Sequence, residues 1–432
     1  MGGRPPPRTR PLTAPLATAT RTAAATTPVM TPVFASLVLA LLMGLQPITT
    51  DLMLPALPAL GSDLQAPMAA VQLTMSALIL AFGLAQLVWG PVADRVGRRP
   101  VLLSALALYT LASLGASLAS HVAQVVGWRA AQGAAMSAVV VCGRAMVRDL
   151  YEPQQGAMVM ARALTGLGLV AIASPVVGGA LVAAWGWRAA VAAMGIAALA
   201  VGVLVAWRVP ESARALRPDA TRLGPLLRQA GAVLAHPGFL AWSLLVACSY
   251  GGIFVFLASA GFVLIKVLGL GTGVAGAVMA TTSVGYIGGT LLCRRWIPRL
   301  GLAGATLRAS RFTMAAVVAL AVLAITDARH VLAVMLPMWL FALGHGVNNP
   351  CGQTGSVAPF PQAAGLASAL SGFVAAVVAF GIGLWLGQAL DGTVRPFAIG
   401  LLVCALGSLS VAWMLVRRLG EPLPASPGHS HG

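Results

Sequence analysis

Residues 69–90, AAVQLTMSALILAFGLAQLVWG, carry no charge. Residues 91–100, PVADRVGRRP, hold Asp94, Arg95, Arg98 and Arg99, and residues 101–120, VLLSALALYTLASLGASLAS, are again uncharged. Each apolar stretch has about the 20 residues a helix needs to cross a hydrocarbon core. The ten residues between them predict a short polar turn joining two antiparallel crossings. The same alternation runs along the whole chain, with apolar windows at 32–56, 69–91, 101–120, 122–143, 161–184, 187–207, 237–263, 273–293, 306–326, 331–352, 363–388 and 394–416. Twelve windows predict an all-α membrane protein with 12 transmembrane helices.

Composition agrees. Of 432 residues, 59% are hydrophobic and 9% charged, with a mean hydropathy of +0.89, whereas soluble domains carry about a quarter charged residues. A soluble enzyme, a disordered regulator and a disulfide-stapled secreted protein are excluded. Cys142, Cys248, Cys293, Cys351 and Cys404 are far apart, without a CxxC pair, and read as small core residues with no metal or redox role. The net charge of +17 is a matter of placement. With the N-terminus in the cytoplasm, 22 of the 27 cations fall on the cytoplasmic side, leaving Arg129, Arg188, Lys266, Arg329 and Arg395. That bias predicts both termini inside the cell and contact with anionic lipid, not nucleic-acid binding.

Residues 1–31, rich in Pro, Thr, Ala and Arg, lack the apolar core of a signal peptide. They predict a disordered cytoplasmic tail, with Met30 as an alternative start. The longest interior polar segment, 208–236, divides the windows into six-helix bundles over 32–207 and 237–416, and a second tail covers 417–432. Gly90–Arg95 ends the second window and Gly289–Arg294 the eighth, an offset of 199 residues (289 − 90), which suggests parallel repeats.

In the polar turn, Gly90 and Gly97 permit tight reversal, and Asp94 can accept charge-assisted hydrogen bonds from the arginines or from a helix N-terminus. An ordinary positive-inside loop accounts for the arginines but neither for the glycines nor for the acid. Gly90, Asp94, Arg95, Gly97, Arg98 and Arg99 resemble motif A of the major facilitator superfamily. Cys293 stands where the second half would repeat the acid. Thr50-Asp51-Leu52-Met53-Leu54-Pro55-Ala56-Leu57-Pro58 is similar to the first-span signature of the bicyclomycin/chloramphenicol-resistance drug:proton antiporters, with Met53 where that subgroup commonly has tyrosine. Arg129-Ala-Ala-Gln132-Gly133 resembles motif B. Ser174-Pro175-Val176-Val177-Gly178-Gly179 resembles the antiporter motif C, with Ser174 replacing a glycine. The resemblance covers about residues 32–415. It implies two six-helix bundles around a central cavity, rocker-switch alternation, and proton-driven export of small, mostly apolar drugs across a bacterial inner membrane.

Asp51 is the only acid within an apolar span of the N-terminal half. A charged carboxylate there costs about 2.5–3.5 kcal/mol, which proton uptake relieves; the alternative is a helix-capping residue ahead of Pro55. Arg129 lies at similar depth and is its natural partner, unless it snorkels to the outer headgroups. Gln72, Ser76, Ile79, Gly83, Gln86 and Gly90 form a helical stripe that reads first as a packing face; Gln72 and Gln132 are candidate cavity residues. Pro175, Gly178 and Gly179 predict a hinge. His345, Asn348 and Asn349 form an i, i+3, i+4 polar cluster, either a second site or a hydrogen-bonded core. Tyr250 and Phe254, and also Phe373 and Phe380, are candidate aromatic walls.

No nucleophile–His–acid group, metal-ligand spacing or nucleotide loop occurs in the spans. The expectation is therefore a proton-coupled antiporter without a cofactor, with a small-molecule substrate, protons and the lipid bilayer as its partners, working as a monomer. Alternatives are an exporter of an endogenous metabolite, an uptake symporter, which motif C disfavours, and a non-transporting membrane sensor or scaffold.

Overall fold

The structure is a computed structural model that describes Gly2, residues 30–213 and residues 216–422; most of both predicted tails lies outside the described residues. The crossings are α1 (Pro32–Asp63), α2 (Met68–Val96), α3 (Arg98–Ser117), α4 (Val122–Leu150), α5 (Pro153–Trp185), α6 (Trp187–Arg208) and α7 (Pro237–Val267). A single helical run, Thr272–Thr326, follows. Its 55 residues would reach about 80 Å if straight, well over two hydrocarbon thicknesses. Gly301, at φ 69° and ψ −173°, breaks it into α8 (272–300) and α9 (302–326). The chain ends with α10 (Val331–Val357), α11 (Pro361–Ala389) and α12 (Arg395–Leu419). Twelve crossings result, and both ends of the described bundle lie on the same side. A separate linker helix spans Leu223–Leu234.

Several helices outrun their apolar windows. α2 continues through Val96, so Asp94 and Arg95 sit on its last turn and not in the turn that follows. α4 continues to Leu150, which places Arg144 and Arg148 on the helix. Gly97, at φ 110°, makes the reversal into α3. Gly90 has helical surroundings and open space where a side chain would stand. Of the two glycines expected to form the tight turn, only Gly97 does so.

α1 changes winding at the candidate acid. Residues Asp51–Ala56 form a 3-10 stretch. Pro55 lacks the N–H that would bond the carbonyl of Asp51 in an α-helix, and Pro58 fails Leu54 in the same way. Side chains not buried by protein form stripes on the peripheral helices. Leu111, Leu114 and Leu118 mark α3 and its end; Ile196, Leu199 and Val203 mark α6; Val318, Val322 and Ile325 mark α9; Ile399, Val403 and Leu406 mark α12. Helical spacing of exposed apolar residues is what lipid contact requires.

The halves repeat one plan. His121 and His330, in nearly identical extended backbone conformations, precede α4 and α10, an offset of 209 (330 − 121). Gly97 precedes α3 and Gly301 precedes α9. The halves meet along α2 with α11 and along α5 with α8. Small residues allow both contacts: Ser76 touches Gly383, Ala69 lies against Gly387, and Gly276 lies against the Pro175 carbonyl.

Candidate functional site

Arg129 is fully buried in the N-terminal half. Its Nη2 donates to the Thr49 carbonyl at 2.9 Å and approaches Met75 Sδ at 3.2 Å. Its Nη1 donates to Gln132 Oε1 at 3.0 Å and lies 3.8 Å from Met194 Sδ. Gln132 passes the network on, donating through Nε2 to Ser113 Oγ at 2.7 Å. The Thr49 hydroxyl bonds the Leu45 carbonyl and also meets the Tyr109 hydroxyl. Since Thr49 has one proton to give, Tyr109 is the donor to Thr49. Arg129 is thus not a snorkelling arginine; it ties α1, α2, α4 and α6 together. Gln132 belongs to this network rather than to a cavity wall, because a buried amide must satisfy its donors and acceptors within the protein. The α2–α4 crossing is close because Gly133 has no side chain: a Cβ there would overlap the Leu78 carbonyl.

Asp51 is half-buried, at the start of the 3-10 stretch. One carboxylate oxygen accepts from Thr50 Oγ1 at 2.7 Å. No ion pair joins it to Arg129 among the described residues. The expected partner reaches the backbone of α1 two residues earlier instead, so in this conformation the carboxylate has no cation among the described residues. Tyr250 of α7 is within electrostatic range across the halves and is half-buried.

The remaining candidates fall into separate places. Gln72 is buried and donates to the Ala258 carbonyl of α7 at 2.7 Å, crossing between the halves. Leu54 of α1 meets Gly261 close by, and Gly179 of α5 meets Thr272 of α8. These contacts join the halves at the end of the bundle away from the chain termini. Phe254 is fully buried and packs beside Gly383, so it is core and not an exposed wall. Gly178 lies against the backbone of Leu52, directly after Asp51, so the glycines of α5 act as contact surfaces for α1 and α8. In the C-terminal half, His345 Nδ1 is 2.8 Å from Ser249 Oγ, and its ring centroid is 5.5 Å from that of Tyr286. Asn349 accepts from Gln353 Nε2 at 3.0 Å, while Asn348 Oδ1 is buried with no partner among the described residues. These residues are not brought to Asp51 by any described hydrogen bond.

At the terminus-bearing end, Asp94 pairs with Arg98, which also reaches Asp149 Oδ2 at 3.2 Å. Arg95 Nη1 donates to Thr221 Oγ1 at 3.0 Å, and the Arg217 N–H donates to the Asp94 carbonyl at 2.9 Å. Arg99 Nη2 donates to the Ala206 carbonyl at 2.7 Å. Glu211, absent from the sequence expectations, closes the cluster. Its carboxylate accepts from the Arg98 N–H at 2.9 Å and the Arg99 N–H at 3.0 Å, satisfying orphan donors at the start of α3. Burial alone would raise its carboxyl, but the N–H groups of Ala213, Arg98, Arg99 and Ser212 together hold it below the usual carboxylate range. Glu421 repeats the device in the other half, accepting from Leu302 N–H at 3.0 Å and Ala303 N–H at 2.8 Å. The signal in sequence was an acid just beyond the sixth helix of each half.

Comparison with known proteins follows the same outline. The family model described as Major Facilitator Superfamily matches residues 39–383. A chloramphenicol resistance protein of Pseudomonas aeruginosa is 30% identical over 322 residues, covering 74% of this chain and 75% of that protein. Multidrug resistance protein D of Escherichia coli K12 is 30% identical over 341 residues, covering 78% and 84%. The crystal structure of a D-xylose–proton symporter shares the fold at a TM-score of 0.70 and 17% identity, covering 89% of this chain and 98% of that one.

Proposed function

From the premise that this chain belongs to the Major Facilitator Superfamily and is a membrane transporter, not an enzyme, with relatives named for drug resistance, we propose that it is a proton-coupled antiporter. It exports small, mostly apolar compounds of the chloramphenicol or bicyclomycin kind across a bacterial inner membrane, with both termini in the cytoplasm. The observation that carries this reading is Asp51, a carboxylate inside a membrane span whose side chain has only the Thr50 hydroxyl as a described partner. A charge in that position is costly, and protonation removes the cost.

The contacts of Gln72, Leu54, Gly261, Gly179 and Thr272 between the halves lie at the outer end in this orientation, which supports collection of the compound from the inner end. Protonation of Asp51 in the outward-facing state and its release inward couple the rocking of the halves to the proton gradient. The Arg129 network holds α1, α2, α4 and α6 as one body during that motion. One proton falling through about 100 mV supplies roughly 2.3 kcal/mol, and each pH unit adds about 1.36 kcal/mol. A total near 3.5 kcal/mol sustains a gradient of a neutral compound of a few hundred fold.

The test is accumulation of chloramphenicol in a pump-deleted host, comparing wild type with Asp51→Asn, with and without a protonophore. Low accumulation in the wild type alone, abolished by the protonophore, is expected. Equal accumulation in all samples, with the protein present in the membrane, removes chloramphenicol from the substrate range.

A further inference from the structure

Arg144 enters the sequence reading only as one of many cytoplasmic-side cations. It lies instead on α4, six residues before the helix ends at Leu150 and thus about 9 Å inside it. From Cys142 to Arg148, only Arg144 and Arg148 are exposed. Gly143 packs toward Leu39 and Leu42 of α1, and Cys142 turns toward the Arg98–Asp94 cluster. The two arginines therefore share the remaining face of α4. Neighbouring protein desolvates the Arg144 guanidinium, yet its side chain is exposed at the protein surface. That combination fits a group projecting into a cleft between the helices better than one on a peripheral stripe, where less protein would surround it.

No hydrogen bond or ion pair to a described residue holds Arg144. Its nearest electrostatic influence is Arg148, one turn on and of like charge. Among the described acids of the terminus-bearing end, Asp94 and Asp149 meet Arg98, Glu211 and Glu421 meet helix starts, Asp219 pairs with Arg222, and Glu152, exposed ahead of α5, forms no ion pair with Arg144. Asp51 is remote. Gly143 is level with Leu39, and Asp51 is twelve residues further along α1 (51 − 39), about 18 Å away along the axis. The repeat sharpens the contrast. Applying the offset of 209 that relates α4 to α10, Arg144 corresponds to Gln353 and Arg148 to Val357. One wall of the cleft is doubly cationic where the other has an amide and an apolar residue.

We propose that Arg144, supported by Arg148, is an anion-recognition element of the transport cleft, and that the substrate range includes compounds with an apolar body and one anionic group such as a carboxylate. The proposal rests on the export reading above for its biological role, though the binding itself does not depend on it. A planar guanidinium without an internal partner can meet a carboxylate through two parallel hydrogen bonds. Exchange of a monoanion for one proton moves two charge equivalents down the membrane potential in each cycle, where a neutral compound moves one. Anionic substrates therefore draw more strongly on the potential.

The experiment is equilibrium binding of 4-nitrobenzoate and of neutral 4-nitrobenzamide to the purified full-length chain in a neutral detergent, for wild type, Arg144→Gln and Arg144→Lys. Size-exclusion profiles verify that the variants are folded. The wild type is expected to bind the carboxylate about tenfold more tightly than the amide, the scale of one charge-assisted hydrogen bond. Arg144→Gln should erase that preference and Arg144→Lys retain part of it. An unchanged preference in Arg144→Gln, or no carboxylate binding by the wild type, overturns the proposal. Displacement of 4-nitrobenzoate by phosphatidylglycerol would assign the arginine to a lipid headgroup and overturn it too. Carboxylate preference without cellular export leaves this inference standing and sinks the export reading, while chloramphenicol export without the preference does the reverse.

Discussion

Arg129 bonds the carbonyl of Thr49 at 2.9 Å, two residues before Asp51, and forms no ion pair with the Asp51 carboxylate. The guanidinium therefore fixes the backbone that presents the acid. Lysine cannot reach Thr49 and Gln132 together, because its ammonium is a single point on a flexible stem. Arg129→Lys should lower stability by about 1.5–3 kcal/mol, the range for a hydrogen bond to a charged group. A thermal unfolding series of the detergent-purified protein reads this. Loss of pH-dependent export alongside that shift is expected, and an unchanged midpoint with normal export would remove Arg129 from the coupling machinery.

Asp51→Asn retains the shape and the Thr50 contact but cannot exchange a proton. Proton-driven export should fall to the level of cells lacking the protein, while protein abundance in the membrane stays near wild type. Substrate counterflow, which needs no net proton movement, should persist. Persistence of protonophore-sensitive export in this variant would place coupling elsewhere.

Glu211 accepts bonds from four backbone N–H groups, and its carboxyl is held below the usual carboxylate range. A depressed group of this kind contributes fully above its ordinary value, and the contribution is lost as pH falls through the depressed one. The clasp should therefore be constant from pH 5 to 8 and should weaken only in stronger acid. Glu211→Ala should cost about 1 kcal/mol, as for loss of a helix cap. Amide hydrogen exchange at Arg98 and Arg99 should rise about fivefold.

Gly178 lies against the Leu52 backbone, whereas Gly90 has nothing within 4 Å of where its Cβ would be. Gly178→Ala should push the 3-10 stretch of α1, cost about 1–3 kcal/mol as overpacking does, and impair export. Gly90→Ala should be neutral or slightly stabilising, since alanine favours a helix interior by up to about 1 kcal/mol over glycine. Paired thermal midpoints and accumulation assays separate the two positions that the motif reading treats alike.

The twelve crossings were legible because an uncharged run of 20 residues has few other solutions. Helix ends were less so. Asp94, Arg95, Arg144 and Arg148 are polar, but hydrogen-bonded turns continue beneath polar side chains once pairing or water is available, so α2 and α4 pass the edge of their apolar windows. Asp51 and Arg129 stood out as charges in apolar surroundings. Their actual partners, Thr50 for one and Thr49, Gln132, Met75 and Met194 for the other, depend on helix rotation and packing that spacing does not encode. Gln132 and Phe254 were assigned to the cavity by helical periodicity, which gives a face but not what covers it. Glu211 and Glu421 escaped notice because capping across more than 100 residues has no local pattern.

Glu421 sits just two residues beyond the last residue of α12, yet it closes the start of α9. The short segment just past α12 is therefore a working part of a helix that begins over a hundred residues earlier. A truncation or fusion junction placed between residues 419 and 421 would strip α9 of its acid while leaving every crossing intact, and one placed after it would not. Boundary choice in a shortened or tagged version of this protein is accordingly a choice about whether the Gly301 reversal stays fastened.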